Sequence, residues 1–226
     1  MDKNREKQQR VLFQPTGMKI REGNDGQESR TVEGCAVVFN CETVLWDGKY
    51  TRHREIINPS CITEDFLKTQ DVKLNMLHDR EQTVARNNKG VGTLILDLRP
   101  DGLYFSAEMP KCDLGDRCLE LIRNKTFTGC SFEFLEDEYT MAKNTLADGR
   151  EDTLVTHTKF KRISALTIAM DPAYKDTSVG LREHFLLRED CREREIAEAK
   201  AREAQAKSKK EKTDLDRERE LYLMGI

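Results

Sequence analysis

Alternation of apolar and polar residues marks much of the chain as β-strand. Thr31–Phe39 (TVEGCAVVF), Val72–Leu77, Val91–Leu98 and Leu103–Met109 each read as strands, with Met18–Arg21 and Arg54–Ile57 as shorter ones. Arg99-Pro100-Asp101-Gly102 predicts a hairpin whose Asp-Gly pair takes the φ > 0 positions of a tight turn. Helical spacing appears twice. Ile62–Lys68 turns Phe66 and Leu67 inward, and a second helix runs from an Asp113 N-cap to about Asn124, with Leu114, Cys118, Leu121 and Ile122 on one side. Residues 136–153 read as a polar connection, and Leu154–Phe160 with Ile163–Ala169 as one bent strand or two. The pattern divides the chain into a flexible stretch 1–16, one mainly β domain with helices (α+β) over 17–181, and a charged helical tail over 182–226.

One strand isolates a serine. In Thr128-Gly129-Cys130-Ser131-Phe132-Glu133-Phe134, the period-two rule puts Cys130, Phe132 and Phe134 on the apolar face and Ser131 on the other. Leu74-Asn75-Met76-Leu77-His78-Asp79 ends a second strand with a histidine at its mouth. A serine needs a neighbouring base to become a nucleophile at neutral pH, and imidazole titrates in the right range. His78 and Ser131 are the minimum parts for acyl transfer. They lie far apart along the chain, so only the fold can join them.

Composition narrows the setting. A net charge of −3 gives no general attraction to nucleic acid or anionic membranes. The seven cysteines form no CxxC pair, and Cys35, Cys61, Cys118 and Cys130 sit among apolar neighbours, which fits a reducing compartment. The charged N-terminus does not read as a signal peptide, no apolar run reaches membrane-spanning length, and no cluster has metal-ligand spacing. The chain reads as a soluble intracellular protein without cofactor or metal.

Each candidate has a plain counterpart. A strand serine beside phenylalanines, taken alone, is a surface serine, and His78 before Asp79-Arg80-Glu81 is a solvated strand end. His157, in an alternating strand 26 positions after Ser131, is either a surface histidine or a second imidazole that orients His78. Glu133 and Asp79 are alternative carboxylate orienters. His53, between Arg52 and Arg54, and His184, at the start of the tail, read as structural or solvated. Periodicity alone does not settle function.

Several segments taken in order resemble the tailed-phage prohead (capsid maturation) protease family. They are Glu33-Gly34-Cys35-Ala36-Val37-Val38-Phe39-Asn40, Glu55-Ile56-Ile57-Asn58-Pro59-Ser60-Cys61-Ile62, and the run ending in His78-Asp79. Asp101-Gly102-Leu103-Tyr104, Leu119-Glu120-Leu121-Ile122-Arg123 and Gly129-Cys130-Ser131-Phe132 follow. Ile163-Ser164-Ala165-Leu166-Thr167-Ile168 with Pro172-Ala173-Tyr174 closes the set, which spans roughly residues 30–180.

The resemblance implies a herpesvirus-protease-like β-barrel with flanking helices and a Ser131–His78 pair, with His157 favoured as third member on its spacing. It implies an endopeptidase that trims the major capsid protein or its scaffolding segment inside an immature shell in the host bacterial cytoplasm. The portal, self-association and self-cleavage of the tail come with it; nucleic acid and membrane do not. The oxyanion would be held by backbone N–H groups around Lys161-Arg162. The chain departs from the family pattern in having Val84-Ala85-Arg86 after the His-Asp loop. It also has Glu133 where glycine is usual, and Ala165 where the last strand often carries glutamate. A non-catalytic capsid assembly or scaffolding protein is the rival reading. An esterase lacks support, because Glu133 interrupts the Gly-x-Ser-x-Gly elbow.

Overall fold

A computed structural model describes residues 9–14, 18–23, 29–170, 192–203 and 207. The strands are β1 (Gln9–Gln14), β2 (Met18–Ile20), β3 (Thr31–Val38), β4 (Thr43–Asp47), β5 (Thr51–Ile57), β6 (Asp71–Met76) and β7 (Asp79–Asn88). They continue with β8 (Val91–Gly92), β9 (Leu94–Arg99), β10 (Gly102–Glu108), β11 (Gly129–Thr145) and β12 (Glu151–Ala169). A 3-10 turn at Pro59–Cys61 precedes helix α1 (Glu64–Leu67), and α2 (Asp113–Arg123) lies between β10 and β11. The architecture is mainly β with helices.

Two sheets hold the core between them. The larger runs β1-β11-β12-β6-β7-β8, and β5 with its partner β4 joins it along β12; the smaller runs β2-β3-β10-β9. β12 is long enough to fork: residues 151–157 pair in parallel with β5, and residues 165–168 pair in parallel with β6. No closed barrel forms among the described residues. Val37, Leu74, Met76, Leu103, Phe105, Phe132, Phe134, Ile163 and Leu166 fill the space between the sheets, and Leu119 and Ile122 bring α2 onto it. α2 starts one residue earlier than an Asp113 cap requires. Cys112 is the N-cap without a side-chain bond, and Asp113 with Asp116 supplies negative charge to the first turn.

Polar strands were the ones hidden in the sequence. Residues 136–153, read as a connection, are largely the outer arms of the β11–β12 hairpin, bent by register shifts between Glu133 and Tyr139. Their side chains are mostly exposed from Glu138 to Thr145, so no apolar alternation announces them. β7 is hidden for the same reason, whereas β4 (TVLWD) is apolar but only five residues long and runs into Trp46-Asp47-Gly48, which reads as loop. Residues 9–14, which fall in the stretch expected to be flexible, lie antiparallel along β11. The apolar run Val11-Leu12-Phe13 inside a charged segment was their only signal.

The predicted hairpin at residues 99–102 forms, but through different chemistry. Pro100 and Asp101 make the loop, and neither Asp101 nor Gly102 has positive φ. Gly102 is required by a close approach instead, since a Cβ there would stand 2.2 Å from the Val37 carbonyl oxygen.

At the C-terminal side, residues 192–203 are helical. Arg192 Nη1 lies 3.2 Å from Glu151, and Lys49 Nζ lies 2.9 Å from Glu193. These pairs are partly or mostly exposed, so they hold the helix weakly. Apart from Lys207, the remainder of the predicted tail, with His184, lies outside the described residues.

Candidate active site

β6 and β7 meet through a two-residue loop, Leu77–His78, with Met76 opposite Asp79. Both loop residues have positive φ, 54° and 60°. This is the primed turn that suits hairpin twist and is normally built from Asn-Gly. A left-handed backbone costs an ordinary L residue about 1–2 kcal/mol, so the surroundings must hold it. The Leu77 N–H donates to the Ile168 carbonyl at 3.1 Å, which ties the turn to β12. On the other side the Asp79 carboxylate accepts from the Glu81 N–H at 2.9 Å and from Gln82 Nε2 at 2.8 Å. Leu77→Asn, which tolerates this backbone better, is expected to raise Tm by about 2–4 °C in calorimetry. An unchanged Tm would mean that the turn carries no strain.

The turn delivers the imidazole to β11. Ser131 Oγ stands 2.8 Å from His78 Nε2. On the other side of the ring, His78 Nδ1 is 3.5 Å from Glu133 Oε1, at the outer limit of a hydrogen bond. Glu133 follows Ser131 by two positions, so the strand places both on one face. The adjacent His78 holds the Glu133 carboxyl below its usual range, against a burial that pushes it up; Arg80, 4.0 Å from the other oxygen, works in the same direction. Glu133 is therefore a carboxylate at neutral pH, positioned to accept from Nδ1–H.

The face around this pair is polar and buried. Ser131 is 0% exposed, while the His78 side chain is 22% exposed. Ser131, Thr167 and Asn75 form one cross-strand row over β11, β12 and β6. Among the described residues, Thr167 Oγ1 and Asn75 Nδ2 are buried without a hydrogen-bond partner. In the adjoining row Glu133 faces Ala165, and that small side chain helps leave a cleft of about 320 Å³, also lined by Lys73, Arg80, Arg162 and Ser164. Glu133 and Ala165 thus face each other across a single register pair, with the carboxylate on the β11 side.

The other candidates go elsewhere. His157 faces Tyr139, ten residues along β12 from Thr167, and is not brought to His78. It is fully buried, edge-on to Phe134 at 5.2 Å, with Nε2 3.1 Å from a Glu55 oxygen and Nδ1 3.8 Å from Glu136. The bent hairpin arm carries it away from the serine end of the sheet. His157→Ala is expected to cost about 3 kcal/mol of stability by denaturant titration. Turnover per folded molecule should stay near wild type; a large fall at full folding would give His157 a role at the site.

Asp79 braces its own turn and does not touch the imidazole. Cys130 points to the core, where burial pushes its thiol up to about 12, so it is no competing nucleophile. His53 sits on β5 opposite Thr153, in the part of β12 remote from Thr167. Lys161 and Arg162 are exposed, five to six residues along β12 from the position opposite Ser131. That is roughly 15–20 Å of strand, too far for their N–H groups to hold an oxyanion at Ser131. Glu133 was open to sequence reasoning through its i, i+2 relation to Ser131, but only the fold ranks it above Asp79 and His157. Among the described residues no group of three His, Cys, Asp or Glu side chains could hold a metal ion, and no helix is long and apolar enough to cross a membrane.

The caudovirus prohead serine protease family matches the chain over residues 16–188. A similar solved structure is that of the bacteriophage T4 capsid assembly protease, gp21, with 13% identity and a TM-score of 0.42 over 73% of this chain and 97% of that one. No curated protein matches the chain.

Proposed function

The chain belongs to the caudovirus prohead serine protease family, and from that premise we propose a serine endopeptidase with Ser131 as nucleophile, His78 as general base and Glu133 as the orienting carboxylate. The 2.8 Å contact between Ser131 Oγ and His78 Nε2 carries this reading. His78 takes the hydroxyl proton as Oγ attacks the scissile carbonyl, then returns it to the leaving amine. Glu133 keeps the proton on Nδ1, so that Nε2 presents its lone pair to the serine, and it stabilises the imidazolium. Water then attacks the acyl-enzyme, with His78 again acting as base. Thr167 Oγ1 and Asn75 Nδ2 are polar groups that a bound peptide could satisfy.

The substrates in this reading are segments of capsid-assembly proteins, the major capsid protein and its scaffolding segment first, cut inside the immature shell. Co-expression with the capsid protein, followed by mass spectrometry of the products, tests it. Defined cleavage products that vanish in Ser131→Ala support it; an uncut capsid protein would overturn it.

The complete burial of Ser131 favours a second reading, a non-catalytic assembly module. A serine-reactive fluorophosphonate separates the two. It modifies Ser131 in an enzyme and leaves an assembly module unmodified.

A further inference from the structure

Attack by Ser131 turns a neutral carbonyl oxygen into an anion, and something must hold it. The peptide groups of Lys161 and Arg162 lie too far along β12 to do so. Nearer ones are committed elsewhere. β11 pairs with β1 on one side and β12 on the other, and β12 pairs with β11 and β6 over residues 165–168. The backbone N–H groups beside Ser131 therefore serve the sheet ladders. The donors have to come from side chains.

Two side chains beside the serine have donors to give. Thr167 faces Ser131 on β12, and Asn75 faces Thr167 on β6. Paired residues send their side chains to the same face, about 5 Å apart. Thr167 is 0% exposed and Asn75 1%, and among the described residues neither Thr167 Oγ1 nor Asn75 Nδ2 has a hydrogen-bond partner. The Asn75 amide is oriented from behind, where its Oδ1 accepts from Thr83 Oγ1 of β7 at 2.7 Å. That bond draws Oδ1 toward β7 and leaves Nδ2 on the side of β12. A buried donor without an acceptor costs about 1–3 kcal/mol. Two such donors in the row of a nucleophile suit an anion that exists only while the reaction runs.

We propose that the Thr167 hydroxyl and the Asn75 amide form a side-chain oxyanion hole for acyl transfer at Ser131. The inference rests on reading Ser131 as the nucleophile. As Oγ bonds to the scissile carbon, its proton passes to His78 Nε2 and the π electron pair of the carbonyl moves onto oxygen. The Thr167 O–H and the Asn75 N–H donate to that oxygen. When the pair returns to re-form the carbonyl, the C–N bond breaks and the amine leaves with the proton from His78. The anion takes these hydrogen bonds more strongly than the neutral carbonyl does, so the two donors act on kcat. Burial strengthens them further, because no water screens the charge.

Thr167→Val separates this role from a structural one. It replaces an unpartnered buried hydroxyl by a methyl of nearly the same shape, so the Tm of the full chain should not fall. Phosphonylation places a P–O oxygen where the oxyanion would stand. The rate of fluorophosphonate labelling at Ser131, read by mass spectrometry, therefore reports on the hole without a known substrate. Thr167→Val should label at least tenfold slower than wild type, and Thr167→Ser should regain most of the loss. On a capsid-protein peptide that wild type cleaves, kcat of Thr167→Val should fall by about 10²–10³-fold with KM little changed. Asn75→Asp keeps the acceptor for Thr83 but loses the N–H, and should be at least as slow.

Wild-type labelling and kcat in a folded Thr167→Val would overturn the proposal. A loss confined to KM would do the same, since it belongs to ground-state binding. If Asn75→Asp does not fold, the two Thr167 variants decide. A Thr167→Val that melts lower than wild type, with no recovery in Thr167→Ser, would give Thr167 a packing role and overturn the proposal as well. No labelling of Ser131 in the wild-type chain would instead overturn the protease reading on which the proposal rests.

Discussion

Ser131→Ala is expected to lower proteolysis by about 10⁶-fold while the protein stays folded. Among the described residues the hydroxyl makes one hydrogen bond, to His78, so its loss should cost only about 1 kcal/mol of stability. Cys130, Phe132 and Phe134, which anchor the strand in the core, are untouched. His78→Ala should be about as severe, because among the described residues no other imidazole lies within reach of Ser131. The double variant should be hardly worse than either single one, since base and nucleophile act as a unit. The measurement is kcat/KM on a cleaved capsid-protein peptide, with a melting curve beside each value. Retained cleavage by folded Ser131→Ala would refute the mechanism. Additive losses would mean that the two residues do not work on the same step.

The serine end of the site was legible because β-strand periodicity is a local rule. Alternation at residues 130–134 separates Ser131 and Glu133 from the three side chains that pack inward, and the core agrees. The site's other half depends on pairing, which is non-local. That His78 reaches Ser131 follows from β6 and β11 both lying against β12, with Asn75 and Ser131 on either side of Thr167. Nothing in the spacing of 53 positions encodes that arrangement. The same gap explains His157. Its sequence distance from Ser131 suits a role at the site, but Ser131 lies at the closed-in end of β11 while His157 rides the arm that bends away.

Turn chemistry misled in both directions. Asp101-Gly102 looks like the place where positive φ is needed, and there the glycine serves a close backbone approach instead. The turn that does need positive φ is Leu77–His78, two residues that avoid it. Local preference is overridden there by the bond to Ile168 and the Asp79 brace, at the one turn that presents the base. Strain held by tertiary contacts at such a turn is hard to see in a sequence, because the sequence shows the cost without the contacts that outweigh it.

Glu133 carries the second large effect. Glu133→Gln keeps the shape but gives up the charge that fixes the His78 tautomer and stabilises its protonated form, so turnover should fall by about 10⁴-fold. The Glu133 carboxyl lies below its ordinary value because His78 stands beside it. Its contribution to stability is therefore fully present above the ordinary carboxylate value of about 4.3 and is lost as pH falls through the lowered one. Urea titrations at several pH values should show Glu133→Gln missing that part of the acid loss. The sharper test moves the carboxylate across the β11–β12 pair. Glu133→Gly should be as inactive as Glu133→Gln. Adding Ala165→Glu to it places a carboxylate on the facing residue of β12, where the adjoining cleft of about 320 Å³ has room for it. The double variant should regain at least tenfold over Glu133→Gly. A carboxylate that rescues from either strand would mean that position over the imidazole, and not the identity of the strand, is what the site requires. No gain in a well-folded double variant would mean that Glu133 supports the fold and leaves His78 without a third partner.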